Sequence, residues 1–139
     1  MMKRTSTITE IMPADIQTVW GIVTDNEHYH WRSDLERIDV LDGGERFIEY
    51  TKDGFSTEFI ITRIESCYCY EFDMQTKIFT GHWIGKYEST GVGETKLTYT
   101  ETIRFSNPLL GLISYLCLPL KRIQKAYMDD LRKALKEKS

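Results

Sequence analysis

The sequence predicts an α+β fold in which a curved antiparallel sheet of about seven strands wraps around one long C-terminal helix, with two short helices after the first strand. Three observations predict it. Near the start, Ile16, Val19, Trp20 and Val23 recur at helical spacing. From residue 36 to residue 105 the pattern changes to a two-residue period, broken at Asp42-Gly43-Gly44, Lys52-Asp53-Gly54 and Gly91-Val92-Gly93, and such breaks suit hairpin turns. After Asn107-Pro108, apolar residues return at three- and four-residue steps as Ile113, Leu116, Leu120, Ile123, Tyr127 and Leu131. A sheet with one apolar face and a long amphipathic helix bury those faces against each other.

Each element has its own signal. "TSTITEI" (5–11) is short and rich in β-branched residues, as a strand is. Pro13 opens the helical stretch "PADIQTVWGIVTD". The aromatic and polar "NEHYHWRSDLE" (26–36) suits a short second helix or an ordered loop. Six strands follow, "RIDVL", "ERFIEYT", "FSTEFIITRIE", "YCYEFDMQTKI", "TGHWIGKYEST" and "ETKLTYTETIRF". Asn107 caps the last helix with Pro108 at its first position, where the missing N–H costs nothing. Pro119 is expected to kink or break that helix near its first third.

The 139 residues read as one domain, 1–139, large enough to bury a core without disulfide or metal staples. A net charge of −3 offers no general attraction to nucleic acid or to an acidic membrane surface, and Lys121, Arg122 and Lys125 read as a solvated helix face. "MMKRTSTITE" has no apolar core of a secretory signal, and "LLGLISYLCLPL" (109–120) is too short to span a bilayer. Three cysteines without an export signal suit reduced thiols in a cytoplasm. His28, His30 and His82 form no ligand set, so no metal and no cofactor is expected.

Period-two alternation also assigns faces. Pairing the last hairpin around Gly91-Val92-Gly93 sets Tyr87 opposite Leu97, Gly85 opposite Tyr99 and Trp83 opposite Glu101, all inward. Gly85 then leaves a gap beside Tyr99. Phe59, Ile61, Tyr70, Phe72 and Met74 form a second inward row. A two-residue Asp-Gly turn would pair Glu49 with Glu58 outward, like charge on like charge. A three-residue Lys52-Asp53-Gly54 loop instead pairs Phe47 with Phe59 and Glu49 with Thr57, both inward, and is the preferred register. An inward carboxylate beside aromatics finds a partner, stays near water, or takes up a proton.

The stretch "MPADIQTVWGIVTDNEHYHWRSDLERI", the hairpin "GHWIGKYESTGVGETKLTYTETI" and the final long helix together resemble the SRPBCC (START-like, helix-grip) superfamily. The nearest resemblance is to small bacterial proteins of the polyketide cyclase/dehydrase-like or lipid transport-like kind. It implies a deep cavity between sheet and last helix that takes a small hydrophobic or amphipathic ligand, such as a lipid, sterol, polyketide or quinone. Carried over by position, the residues nearest that cavity are Trp31, Glu49, Trp83, Tyr87, Tyr99 and Glu101, with Leu116, Leu120 and Tyr127 from the helix. The inward row adds Phe59, Ile61 and Phe72. The superfamily has no common catalytic motif, so none transfers.

Three functions remain open at this level. A carrier or sensor would bind a hydrophobic small molecule in the cavity. A cyclase- or dehydratase-type enzyme would use Glu101 or Glu49 as general acid/base beside Tyr99 or Tyr87. An adaptor would use the outer sheet face or residues 109–120, whose near-continuous apolar character also suits a lid, a membrane contact or a subunit contact. Glu101 as a purely structural carboxylate, and Arg32 as a solvated helix arginine, stand beside the functional readings. The oligomeric state is left open.

Overall fold

A computed structural model describes residues 2–138. Strands β1 (Met2–Met12), β2 (Leu35–Leu41), β3 (Arg46–Thr51), β4 (Ser56–Glu65), β5 (Cys69–Gln75), β6 (Thr80–Gly91) and β7 (Glu94–Phe105) form one antiparallel sheet. Their order is β1-β7-β6-β5-β4-β3-β2. Helix α1 (Ile16–Val23) follows β1, and α2 (Pro108–Cys117) and α3 (Leu120–Lys138) follow β7. This is the helix-grip arrangement: a meander of six hairpin-linked strands, with β1 crossing over to pair β7 from Met2↔Phe105 to Met12↔Thr95.

The two faces of the β1–β7 pair differ as alternation requires. Outside, hydroxyls meet across the strands at Thr5–Thr102, Thr7–Thr100 and Thr9–Thr98. Inside, Ile8, Met12, Leu97, Tyr99, Ile103 and Phe105 are buried. Helix α3 lies over this inner face through Leu120, Gln124, Met128, Leu131 and Leu135. Arg132 and Lys125 of α3 both reach Glu10 on β1, at 2.7 and 3.6 Å. The preferred register is the observed one: Phe47 pairs with Phe59 and Glu49 with Thr57, with Gly54 at φ 89° in the turn, a value that favours glycine.

One helical expectation is corrected, and the break expected at Pro119 is found. Residues 24–34 form turns and no second short helix. Side chains take three of their backbone donors in place of i−4 carbonyls: Asp25 accepts from the N–H groups of Glu27 and His28, and Asp130 of α3 from that of Ser33. The long last helix is two helices, broken at Leu118-Pro119. Leu118 adopts φ −133°, ψ 78°, because the residue before a proline is driven out of the helical region. Arg4 of β1 fills the break, donating to the carbonyls of Ser114 and Leu118 at 3.0 and 2.8 Å, where a helix C-terminus welcomes a cation.

The gap expected at Gly85 is filled. A Cβ there would lie 2.6 Å from the Trp83 ring and 3.0 Å from the Tyr99 ring. The Trp83 indole leans back along its own strand over Gly85 and stacks on Phe72, with centroids 4.6 Å apart and planes 2° from parallel. Gly85 is therefore the seat of Trp83. Gly85→Ala is expected to push the indole off Phe72 and to destabilise the fold by about 1–3 kcal/mol in denaturant titration. An unchanged unfolding midpoint would contradict this seating.

Candidate functional site

Between the inner sheet face and α3 lies a cavity of about 110 Å³. Its sheet wall is aromatic: Phe47, Phe59, Tyr70, Phe72, Trp83 and Tyr99. Its roof is Val23 at the end of α1, Asn26 and Arg32 from the turns, and Ile123, Gln124 and Tyr127 of α3. The rings hold one another in place. Phe47 stacks on Phe59 at 4.8 Å, Trp83 tilts against Tyr99 at 4.5 Å, and Tyr99 meets Tyr127 edge-on at 5.5 Å. Such pairs favour offset and edge geometries and keep the wall from collapsing inward.

Two carboxylates line this apolar space, and their circumstances differ. Glu49 on β3 is bound by Arg32 at 3.3 Å, with the two side chains only 16% and 14% exposed. Arg32 is also held by Asp34 at 3.1 Å and lies over the Tyr127 ring, 4.8 Å from its centroid. Burial works against the Arg32 charge, but Glu49 and Asp34 outweigh it and raise its pKa further. The reading of Arg32 as a solvated helix arginine is thus corrected: it is a clamped part of the cavity roof.

Glu101 on β7 has no such partner. It stands opposite Trp83, and no described residue donates a hydrogen bond to it. Loss of water raises its pKa from 4.5 to about 7; the nearby Glu49 charge adds to the rise and Arg4 opposes it. Beside it, Gln124 ties α3 to β1, donating to the Ser6 carbonyl at 2.9 Å and accepting from the Ser6 hydroxyl at 2.7 Å. The second amide hydrogen goes to the Tyr99 carbonyl at 3.5 Å, so Gln124 has no free donor for Glu101. Tyr87 and Tyr99 share a hydrogen bond at 3.0 Å, and burial holds both phenols well above their usual pKa. Asn26 donates to the Tyr70 hydroxyl at 3.2 Å.

Of the residues named from sequence, Glu49, Phe59, Phe72, Trp83, Tyr99, Glu101 and Tyr127 line the cavity. Tyr87 is buried behind Tyr99, and Leu120 is buried in the core. Ile61 and Trp31 pack against that core, Trp31 edge-on to Tyr127 at 5.3 Å. Leu116 is 87% exposed and has no part in the wall, which corrects its expected place. Asn26 and Gln124 line the cavity and were missed; Ile123, read on the apolar stripe of the last helix, lines it as well. The signal for Gln124 was its place four residues after Leu120 and three before Tyr127, on the stripe that α3 buries. Among the described residues no group of His, Cys, Asp and Glu is arranged to hold a metal. His82 on the outer face is occupied by Asp73 at 2.7 Å and Glu71 at 3.1 Å.

A partly buried carboxyl with a pKa near 7 beside an aromatic wall can donate a hydrogen bond to a carbonyl when protonated and accept a proton when ionised. The Arg32–Glu49 pair at the other side supplies a fixed dipole. No helix among the described residues is long and apolar enough to cross a membrane.

A family model described as "Polyketide cyclase / dehydrase and lipid transport" matches residues 2–136. No curated protein matches the sequence. Among solved structures, the ZhuI aromatase/cyclase from Streptomyces sp. R1128 superposes with a TM-score of 0.80 at 10% identity, covering 97% of this chain and 94% of that one. A START superfamily protein from Mycobacterium smegmatis gives 0.78 at 11%, covering 97% and 99%. Norcoclaurine synthase from Thalictrum flavum, in complex with dopamine and hydroxybenzaldehyde, gives 0.77 at 9%, covering 99% and 89%. At these identities the likeness is one of fold.

The Glu101 shift has a stability consequence with a definite sign. Between pH 4.5 and about 7 the folded chain holds a proton that the unfolded chain has released, so stability falls as pH rises through that window. The shift is worth about 3 kcal/mol at most. Glu101→Gln is expected to remove this fall, flattening the curve of unfolding free energy from pH 4.5 to 7 and stabilising the protein at pH 8. A variant whose curve runs parallel to the parent's would contradict the assignment.

Proposed function

Because the chain belongs to the polyketide cyclase/dehydrase and lipid transport family, we propose that it binds a small hydrophobic or amphipathic molecule between the sheet and α3. The observation that carries this reading is Glu101, the lining carboxyl that no described residue donates a hydrogen bond to, in a wall built mostly of aromatic rings. An unpartnered polar group in an apolar cavity is expensive to maintain for stability alone; a ligand carbonyl or hydroxyl is the partner that makes sense of it. The favoured ligand is therefore a ring or short chain with one hydrogen-bonding oxygen.

Size narrows the choice. The cavity of about 110 Å³ is small beside the ~300–1,000 Å³ that encloses a drug-sized molecule. It takes one small ring as it stands, and a longer ligand requires the roof to part. Ile123, which lines the cavity and is 42% exposed, marks where the roof is thinnest.

A second reading has the same residue in a chemical role. With its pKa near the working pH, Glu101 suits proton transfer beside a bound carbonyl, as cyclisation or dehydration requires. The paired hydroxyls of Tyr87 and Tyr99 lie behind the wall and serve to set the Tyr99 ring, leaving Glu101 as the candidate acid/base. A protein adaptor has no comparable support from this site.

Protein purified without denaturant is expected to carry a non-polar small molecule that native mass spectrometry detects in unit ratio. Readdition of that compound to stripped protein should quench the fluorescence of Trp83. If no lipid, quinone or aromatic co-purifies and none tested binds below millimolar concentration, the binding reading fails. Turnover of a bound compound that survives in Glu101→Gln would remove Glu101 from the acid/base role, and absence of any turnover of the bound compound by the parent would leave the carrier reading alone.

A further inference from the structure

Helix α2 is built the wrong way round for a helix that only completes a core. Its outward face carries Leu109, Leu112, Ile113, Tyr115 and Leu116, all exposed, at the i, i+3, i+4, i+7 spacing that normally marks a buried stripe. Its inward face presents small residues, Gly111 and Ser114. This orientation is locked. A Cβ on Gly111 would strike the Met2 side chain at 2.3 Å. Arg4 binds the Ser114 hydroxyl and carbonyl, each at 3.0 Å, and the Leu118 carbonyl at 2.8 Å, while lying over the Tyr115 ring.

Charge around this helix is segregated. From Thr102 to Met128 the sequence has four basic residues, Arg104, Lys121, Arg122 and Lys125, and no Asp or Glu. The chain as a whole has a net charge of −3, so its acidic residues lie elsewhere. Lys125 is engaged by Glu10 and Asp129. Lys121 and Arg122 are exposed at the start of α3, directly after the break that ends α2; the Lys121 ammonium donates one hydrogen bond to the Thr7 carbonyl of β1 and has two further N–H groups.

We propose that α2 is a docking helix for a bilayer that carries anionic lipids. The outward Leu, Ile and Tyr side chains enter the headgroup–acyl boundary while Lys121 and Arg122 meet lipid phosphates, the arrangement by which interfacial helices bind. An apolar face whose flanking sequence carries only positive charge complements that surface. A second copy of the chain would bring the same positive rim against itself in a symmetric pair. Ile123 continues the exposed apolar surface and also lines the cavity, so docking sets the thin part of the cavity roof beside the lipid. The docking surface does not depend on what the cavity holds.

Vesicle flotation tests this with the whole protein. The chain is expected to float with vesicles of phosphatidylcholine and phosphatidylglycerol, and not with phosphatidylcholine alone, with binding weakened by salt. The double substitution Leu112→Ser and Leu116→Ser should weaken it by about tenfold or more. Arg122→Glu should weaken it by roughly threefold or more. Both variants change only exposed side chains, so the far-ultraviolet spectrum and unfolding midpoint should match the parent's. The proposal is overturned if the parent does not float with anionic vesicles, or if the double variant floats as well as the parent. It is equally overturned if sedimentation shows a concentration-dependent dimer that Leu116→Ser abolishes without any vesicle binding.

Discussion

Closing α3 over the inner face of the sheet takes much of the water from Glu101, which stays partly buried, and gives it no hydrogen-bond donor among the described residues in return. Most of the site follows from that one desolvation. The neighbouring groups that might have satisfied the carboxyl are committed elsewhere: Gln124 to Ser6 of β1, Arg4 to the end of α2, Arg32 to Glu49 and Asp34. Glu49 then adds its charge to the same low-dielectric space, and both effects push Glu101 toward holding a proton near neutral pH. The fold bears the cost because the β1–β7 pairing and the ion pairs of Glu10 hold α3 in place regardless.

The aromatic wall is the second half of the arrangement. Gly85 lets Trp83 lie flat, Trp83 stacks on Phe72, and Tyr99 is set by Tyr87 behind it and Tyr127 above it. Rings packed in this way leave a small fixed void beside Glu101 instead of filling it. The chain thereby combines a rigid apolar surface with one titratable group, a combination that serves binding directly and proton transfer by a short step.

Much of this was legible in the sequence, and the misses have physical causes. Gly-containing breaks set the hairpin registers, so Trp83 opposite Glu101 and Glu49 opposite Thr57 could be read directly. The like-charge clash of Glu49 with Glu58 was enough to choose between two turns. Residues 26–36 misled because helix formation there loses to side-chain acceptors, one of them on α3 and about a hundred residues away in sequence. Helix α3 was rotated in the reading because Ile123 looked like core and Gln124 did not; a single buried amide hides a stripe from a hydrophobicity pattern. Leu116 was misplaced because contacts of α2 with Met2 and Arg4, distant in sequence, decide which face of that helix is covered.

The resulting picture is of a helix-grip protein whose last two helices do different jobs. Helix α3 closes the cavity and isolates Glu101, while α2 turns an apolar face outward. The most direct measurement is a carbon-13 NMR titration of the Glu101 carboxyl carbon, assigned by its loss in Glu101→Gln. Titration near pH 7, moving when a cavity ligand binds, is the predicted result. A carboxyl that titrates at 4.5 or below, as a solvated or ion-paired glutamate does, would contradict the desolvated, unpartnered state.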